Sequence, residues 1–101
     1  MVTVYLTLVL GEGDLSEIVR EVVEYVVKLV EREYGVNIVY RVLYDSKVAL
    51  PCIILNEYEP IQIDKVPQTD YLVKLLLTVI DTGEVGLHNS TKDLAEYSST
   101  P

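Results

Sequence analysis

The chain has 101 residues and a mass of 11.4 kDa, enough for one domain. Sixteen Asp and Glu against eight Lys and Arg leave a net charge of −8, which argues against nucleic acid or an anionic membrane surface as partner. One cysteine excludes an internal disulfide and any zinc site built from four cysteines.

Residues 2–10, VTVYLTLVL, alternate with period two, and the minor face is still half apolar. That pattern predicts a central strand. Gly11-Glu12-Gly13 ends it. From Leu15 to Tyr34 the apolar positions Leu15, Ile18, Val19, Val22, Val23, Val26, Leu29 and Val30 recur at three-four spacing. Glu17, Arg20, Glu21, Glu24, Lys28 and Glu31 fall opposite them, so an amphipathic helix of about five turns is expected. Its valines weaken the intrinsic propensity by at most about 0.7 kcal/mol each, a cost that burial of the stripe outweighs. Asp14 and Glu17 have the spacing of a capping box: the first accepts from a first-turn amide and the second reaches back. Gly35 is expected to stop the helix in the left-handed conformation.

Residues 36–44, VNIVYRVLY, read as a second strand, parallel to the first through a right-handed helical crossover. Asp45-Ser46-Lys47 breaks the run, and Leu50-Pro51 introduces a third strand, Cys52–Leu55. A hairpin connection, Asn56–Pro60, leads to a short fourth strand at Ile61–Ile63. Pro67 and Thr69 mark the start of a second helix, which Tyr71, Leu72, Leu75, Leu76 and Val79 carry to about Thr82-Gly83. Residues 84–101 are polar and read as a tail outside a domain at 1–83, with one turn of helix at Lys92–Tyr97.

The apolar set is 17 Val, 14 Leu and 7 Ile, with no Phe or Trp, so eight Tyr supply every aromatic ring. Branched aliphatics favour strands, whereas eight phenolic hydroxyls cannot all be hidden. Several tyrosines are therefore expected at the rim of the core or in an interface. No stretch approaches the roughly 20 apolar residues that span a bilayer. The first apolar run has no basic residue before it, so the expected location is cytoplasmic, without a secretory signal.

The order strand, helix, strand, strand, strand, helix resembles the thioredoxin fold over about residues 4–80. The resemblance rests on three stretches. Gly11-Glu12-Gly13 looks like the glycine-flanked opening of the redox motif, and Ala49-Leu50-Pro51 is similar to the segment that carries the family's cis-proline. The hairpin followed by Val66-Pro67 and an amphipathic helix matches the family's ending. The resemblance implies an α/β fold with a mixed four-stranded sheet and helices mainly on one face. It also implies a cis peptide before Pro51, and it makes Asp14, Glu17, Leu50 and Pro51 the positions of a binding surface.

The chain departs from the family where the chemistry lies. C-x-x-C is replaced by Asp14-Leu15-Ser16-Glu17, and carboxylates can neither attack a disulfide nor resolve one. The connection 45–50 is also too short for the helix that many relatives place before the proline. Cys52 directly follows that proline and could form a mixed disulfide, but a lone Cys heading an apolar strand is ordinarily an inert hydrophobe. Asp14 and Glu17 could also act as an acid–base pair or metal ligands, against which capping needs no further assumption. His88, the only histidine, lies in the polar tail without a partner. Ser16 lacks a His–Asp pair to activate it, and Gly11-Glu12-Gly13 lacks the Lys-Ser/Thr of a phosphate loop. No metal or cofactor is called for.

Three functional classes follow. The first is a redox-inactive protein-binding module, and the second an enzyme using Cys52 or the two carboxylates. The third is a dimeric building block. With only two long helices, the sheet face carrying Tyr5 and Val9 is left without cover, so a homodimer using that face or its edge is expected, with the tail contributing.

Overall fold

In the computed structural model, which describes residues 2–82, the first alternating run forms strand β1, Thr3–Leu10. Val4, Leu6, Leu8 and Leu10 are all buried, while Thr3, Tyr5, Thr7 and Val9 stay half-buried or exposed on the other face. Helix α1 follows at Asp14–Tyr34 and turns Val19, Val23, Val26 and Val30 into the core. It buries Val27 as well, a position missing from the apolar set read above although it stands four residues after Val23 and three before Val30. Gly35 ends the helix at φ 67°, its N–H donating to the Glu31 carbonyl at 3.1 Å.

The capping box does not form. The chain enters the helix through Gly13 at φ 111°, ψ 171°, a conformation reserved for glycine, so Asp14 is already the first helical residue. A cap needs a non-helical backbone to aim its side chain at the first-turn amides. Asp14 lacks one, and neither it nor Glu17 makes a cap hydrogen bond. Both are exposed in the first turn, where their charges still suit the positive end of the helix.

Strand β2, Asn37–Tyr44, runs parallel to β1 in an unbroken register from Thr3 opposite Asn37 to Leu10 opposite Tyr44. Strand β3, Cys52–Leu55, pairs antiparallel on the other side of β1, from Leu6 opposite Leu55 to Val9 opposite Cys52. Strand β4, Ile61–Gln62, closes the sheet in the order β2-β1-β3-β4. Ile63 follows β4 and is buried, its N–H donating to the Pro51 carbonyl at 2.8 Å. Helix α2, Thr69–Thr82, packs against α1 and β1 through Leu72, Leu75, Leu76 and Val79. Tyr71, expected with that apolar set, instead lies outward at 41% exposure.

The result is an α/β fold with a mixed, open four-stranded sheet and two helices. Both helices lie over the face that carries the even-numbered residues of β1. Among the described residues no helix is long and apolar enough to cross a membrane. His88 and the polar segment 84–101 lie outside the described residues.

Candidate binding surface

The end of β1 where α1 begins is built around Gly11. Its N–H donates to the Ser16 hydroxyl oxygen at 3.1 Å, and Ser16 is the only buried polar residue among those described, at 4% exposure. The serine therefore supplies the local satisfaction expected of Asp14, acting on the strand-end amide rather than on a helical one. A pattern read in helical steps overlooks it because its partner lies five residues back, before the helix. Gly11 has no room for a side chain: a Cβ there would overlap the Val48 carbonyl oxygen. The segment after β2 is pressed against it. Asp45 donates its N–H to the Leu10 carbonyl at 2.9 Å, Val48 donates to the Asp45 carbonyl at 3.0 Å, and Lys47 donates to Asp45 Oδ1 at 2.9 Å.

That segment delivers Leu50, half-buried, and Pro51, buried. Pro51 accepts from Ile63 and so fastens the start of β3 to the segment after β4. Asp14 and Glu17 face solvent, and no hydrogen bond or ion pair joins them to Leu50, Pro51 or Cys52. Cys52 pairs with Val9 and Gln62, on the sheet face away from the helices. Burial pushes its thiol above the usual cysteine range, the opposite of what a nucleophilic thiolate requires. Among the described residues no three His, Cys, Asp or Glu side chains gather where a metal could sit.

The sheet face away from the helices is the larger feature. Tyr5, Val39 and Leu43 are 57, 44 and 45% exposed there, with Val9, Cys52 and Ile54 half-buried between strands. The strand residues of this face include no carboxylate, although the chain carries sixteen. Arg41 is their one charge, and its Nε donates to Thr7 Oγ1 at 3.2 Å. At the lower end Asn56, in the left-handed region at φ 53°, clamps the rim. It donates its N–H to the Tyr5 carbonyl at 2.7 Å and accepts from the Tyr5 N–H through Oδ1 at 2.9 Å.

The flank of α1 over β2 carries contacts that helical periodicity alone does not disclose. Tyr40 donates its hydroxyl to Glu24 Oε2 at 2.9 Å, and Glu24 also meets Arg20 at 3.8 Å. Burial, then the bond to Glu24 and that carboxylate's charge, hold the Tyr40 phenol well above its ordinary pKa. Glu31 Oε2 accepts from the Ile38 N–H at 3.1 Å. Of the other described tyrosines, Tyr5, Tyr25, Tyr34, Tyr44 and Tyr71 lie at the surface and Tyr58 is half-buried. No family model, no curated protein and no solved structure matches the chain.

Proposed function

We propose that the chain is a thioredoxin-like domain without dithiol chemistry that serves as a protein-binding assembly module, pairing with a second copy of itself through its sheet. The element order β-α-β-β-β-α, the mixed sheet and the placing of α1 directly after the central strand support the thioredoxin-like part. Asp14 and Glu17 stand where the family's two cysteines would, and both are exposed carboxylates. Burial pushes the lone thiol above the usual cysteine range, which speaks against the enzymatic alternative at Cys52.

The observation that carries the assembly reading is an apolar sheet face without carboxylates on a chain of net charge −8. Acidic surfaces repel one another, and the absence of carboxylates from the strand residues of this face lowers that cost for a second copy meeting the sheet, whether on the face itself or along the adjoining edge of β2. Exposed apolar surface of this kind ordinarily marks an interface.

Sedimentation equilibrium on the full chain, from micromolar to submillimolar concentration, tests the reading. The expected mass rises toward twice 11.4 kDa. A mass that stays at 11.4 kDa throughout overturns it.

A further inference from the structure

We propose that the second copy joins along the outer edge of β2, strand against strand and antiparallel, in a register centred on Val42. The inference rests on the self-association proposed above and names its geometry. Asn37 donates its N–H to the Val2 carbonyl at 3.1 Å and Asp45 donates to Leu10, so the odd-numbered amides of β2 point inward to β1. Strand alternation then turns Ile38, Tyr40, Val42 and Tyr44 outward, each with its N–H and C=O on the bare edge. The Ile38 N–H is already taken by Glu31. Three outward residues remain, and β2 pairs with β1 along its full length without a bulge, proline or lysine to blunt the edge. The opposite edge is protected by brevity, since β4 is two residues long.

The three outward residues read Tyr, Val, Tyr, a palindrome about Val42. A two-fold interface presents the same surface on both partners, and this edge meets that condition without adjustment. Val42 falls opposite the partner copy's Val42, and Tyr40 opposite the partner copy's Tyr44. Each such pair exchanges two backbone bonds. Facing tyrosines are among the favourable cross-strand pairs. On the other face Arg41 falls opposite Leu43, so no like charges meet across the strands. Registers centred on Arg41 or Tyr40 would draw Ile38 into the ladder, where its N–H is occupied by Glu31. Because α1 touches both β1 and β2, the two copies of α1 would lie about two strand spacings apart, roughly 10 Å, an ordinary distance for packed helices.

The alternative is face-to-face packing of the two open faces. It would bury Arg41 of both copies without a carboxylate among the strand residues of either face, and burying unpaired guanidinium groups is costly. Edge pairing leaves Arg41 wet and still satisfies the free backbone groups.

The test places single cysteines in the full chain with Cys52→Ser as background. Val42→Cys brings two thiols to facing positions about 5.5 Å apart at Cα, within disulfide reach. Val39→Cys sets its two thiols about 20 Å apart along the strands in the same register. In a glutathione redox buffer, Val42→Cys is expected to convert to a disulfide-linked dimer on a non-reducing gel, while Val39→Cys stays monomeric there. A doubled solution mass with no linkage at Val42, or with linkage at Val39, overturns the edge geometry and leaves self-association standing. A wild-type mass of 11.4 kDa at every concentration overturns both.

Discussion

Replacing Gly11 by alanine tests the packing at the mouth of α1. The added Cβ would overlap the Val48 carbonyl oxygen and lie 3.3 Å from the Val48 carbonyl carbon. Both are backbone atoms, so no side chain can swing aside. Either β1 or the segment after β2 must shift. That segment is held by Asp45 to Leu10 and by Val48 to Asp45, at 2.9 and 3.0 Å. Overpacking of this kind costs about 1–3 kcal/mol, and a hydrogen bond lost in the shift adds roughly 1 kcal/mol. We expect Gly11→Ala to destabilise the fold by about 2–3 kcal/mol. In urea unfolding, with a slope of about 1–3 kcal/mol per molar, the midpoint should fall by roughly 1 M at unchanged slope. Gly35→Ala is the comparison: a Cβ there meets nothing within 4 Å, but φ is +67°, so only the left-handed strain of roughly 1–2 kcal/mol applies. A Gly11→Ala midpoint equal to wild type would refute the packing described here.

Ser16→Ala leaves the Gly11 amide without its acceptor and should cost about 1–2 kcal/mol in the same urea assay; no loss would mean the serine does not satisfy that amide. Tyr40 should ionise above the ordinary tyrosine range in an alkaline absorbance titration, and Tyr40→Phe should remove that late component. Its folded pKa is raised, so the associated stability is complete below the ordinary tyrosine range near 10 and is lost as pH rises beyond it. Wild type should therefore lose stability above about pH 10 more steeply than Tyr40→Phe, and parallel profiles would count against the Glu24 contact. Cys52 should alkylate with a midpoint above that of an exposed thiol, because burial raises its pKa; a depressed midpoint would reopen a redox role. Insulin reduction should show no turnover, and activity abolished by Cys52→Ser would contradict the non-enzymatic reading.

The strands and helices were legible in the sequence because their periods are clean. Even-numbered apolar residues in 2–10 announce β1, and β3 falls at Cys52–Leu55 as the Leu50-Pro51 boundary implies. Gly35 announces its own cap, since a left-handed residue there is cheapest as glycine. The bare face of Tyr5 and Val9 was legible from arithmetic on helices and sheet faces. The capping box was misleading because its spacing reports which residues can cap, not which residue has the non-helical backbone. Gly13 takes that position and displaces Asp14 by one step. The contacts of Glu31 with Ile38, Asn56 with Tyr5 and Ser16 with Gly11 each join a side chain to a backbone amide on another element or strand end. No local pattern encodes such pairs, since they depend on where two elements come to rest. The palindrome about Val42 is visible in the sequence, but its meaning needs the register that turns those residues outward.

The most direct test of the account is amide hydrogen exchange along β2, read residue by residue by NMR as protein concentration rises. The inward amides of Val39, Arg41 and Leu43 are bonded to β1 and should be protected at every concentration. The outward amides of Tyr40, Val42 and Tyr44 should exchange fast when dilute and become protected together as the second copy pairs with the edge. Outward amides that exchange freely at all concentrations, beside inward neighbours that stay protected, would contradict the claim that this edge receives a second copy.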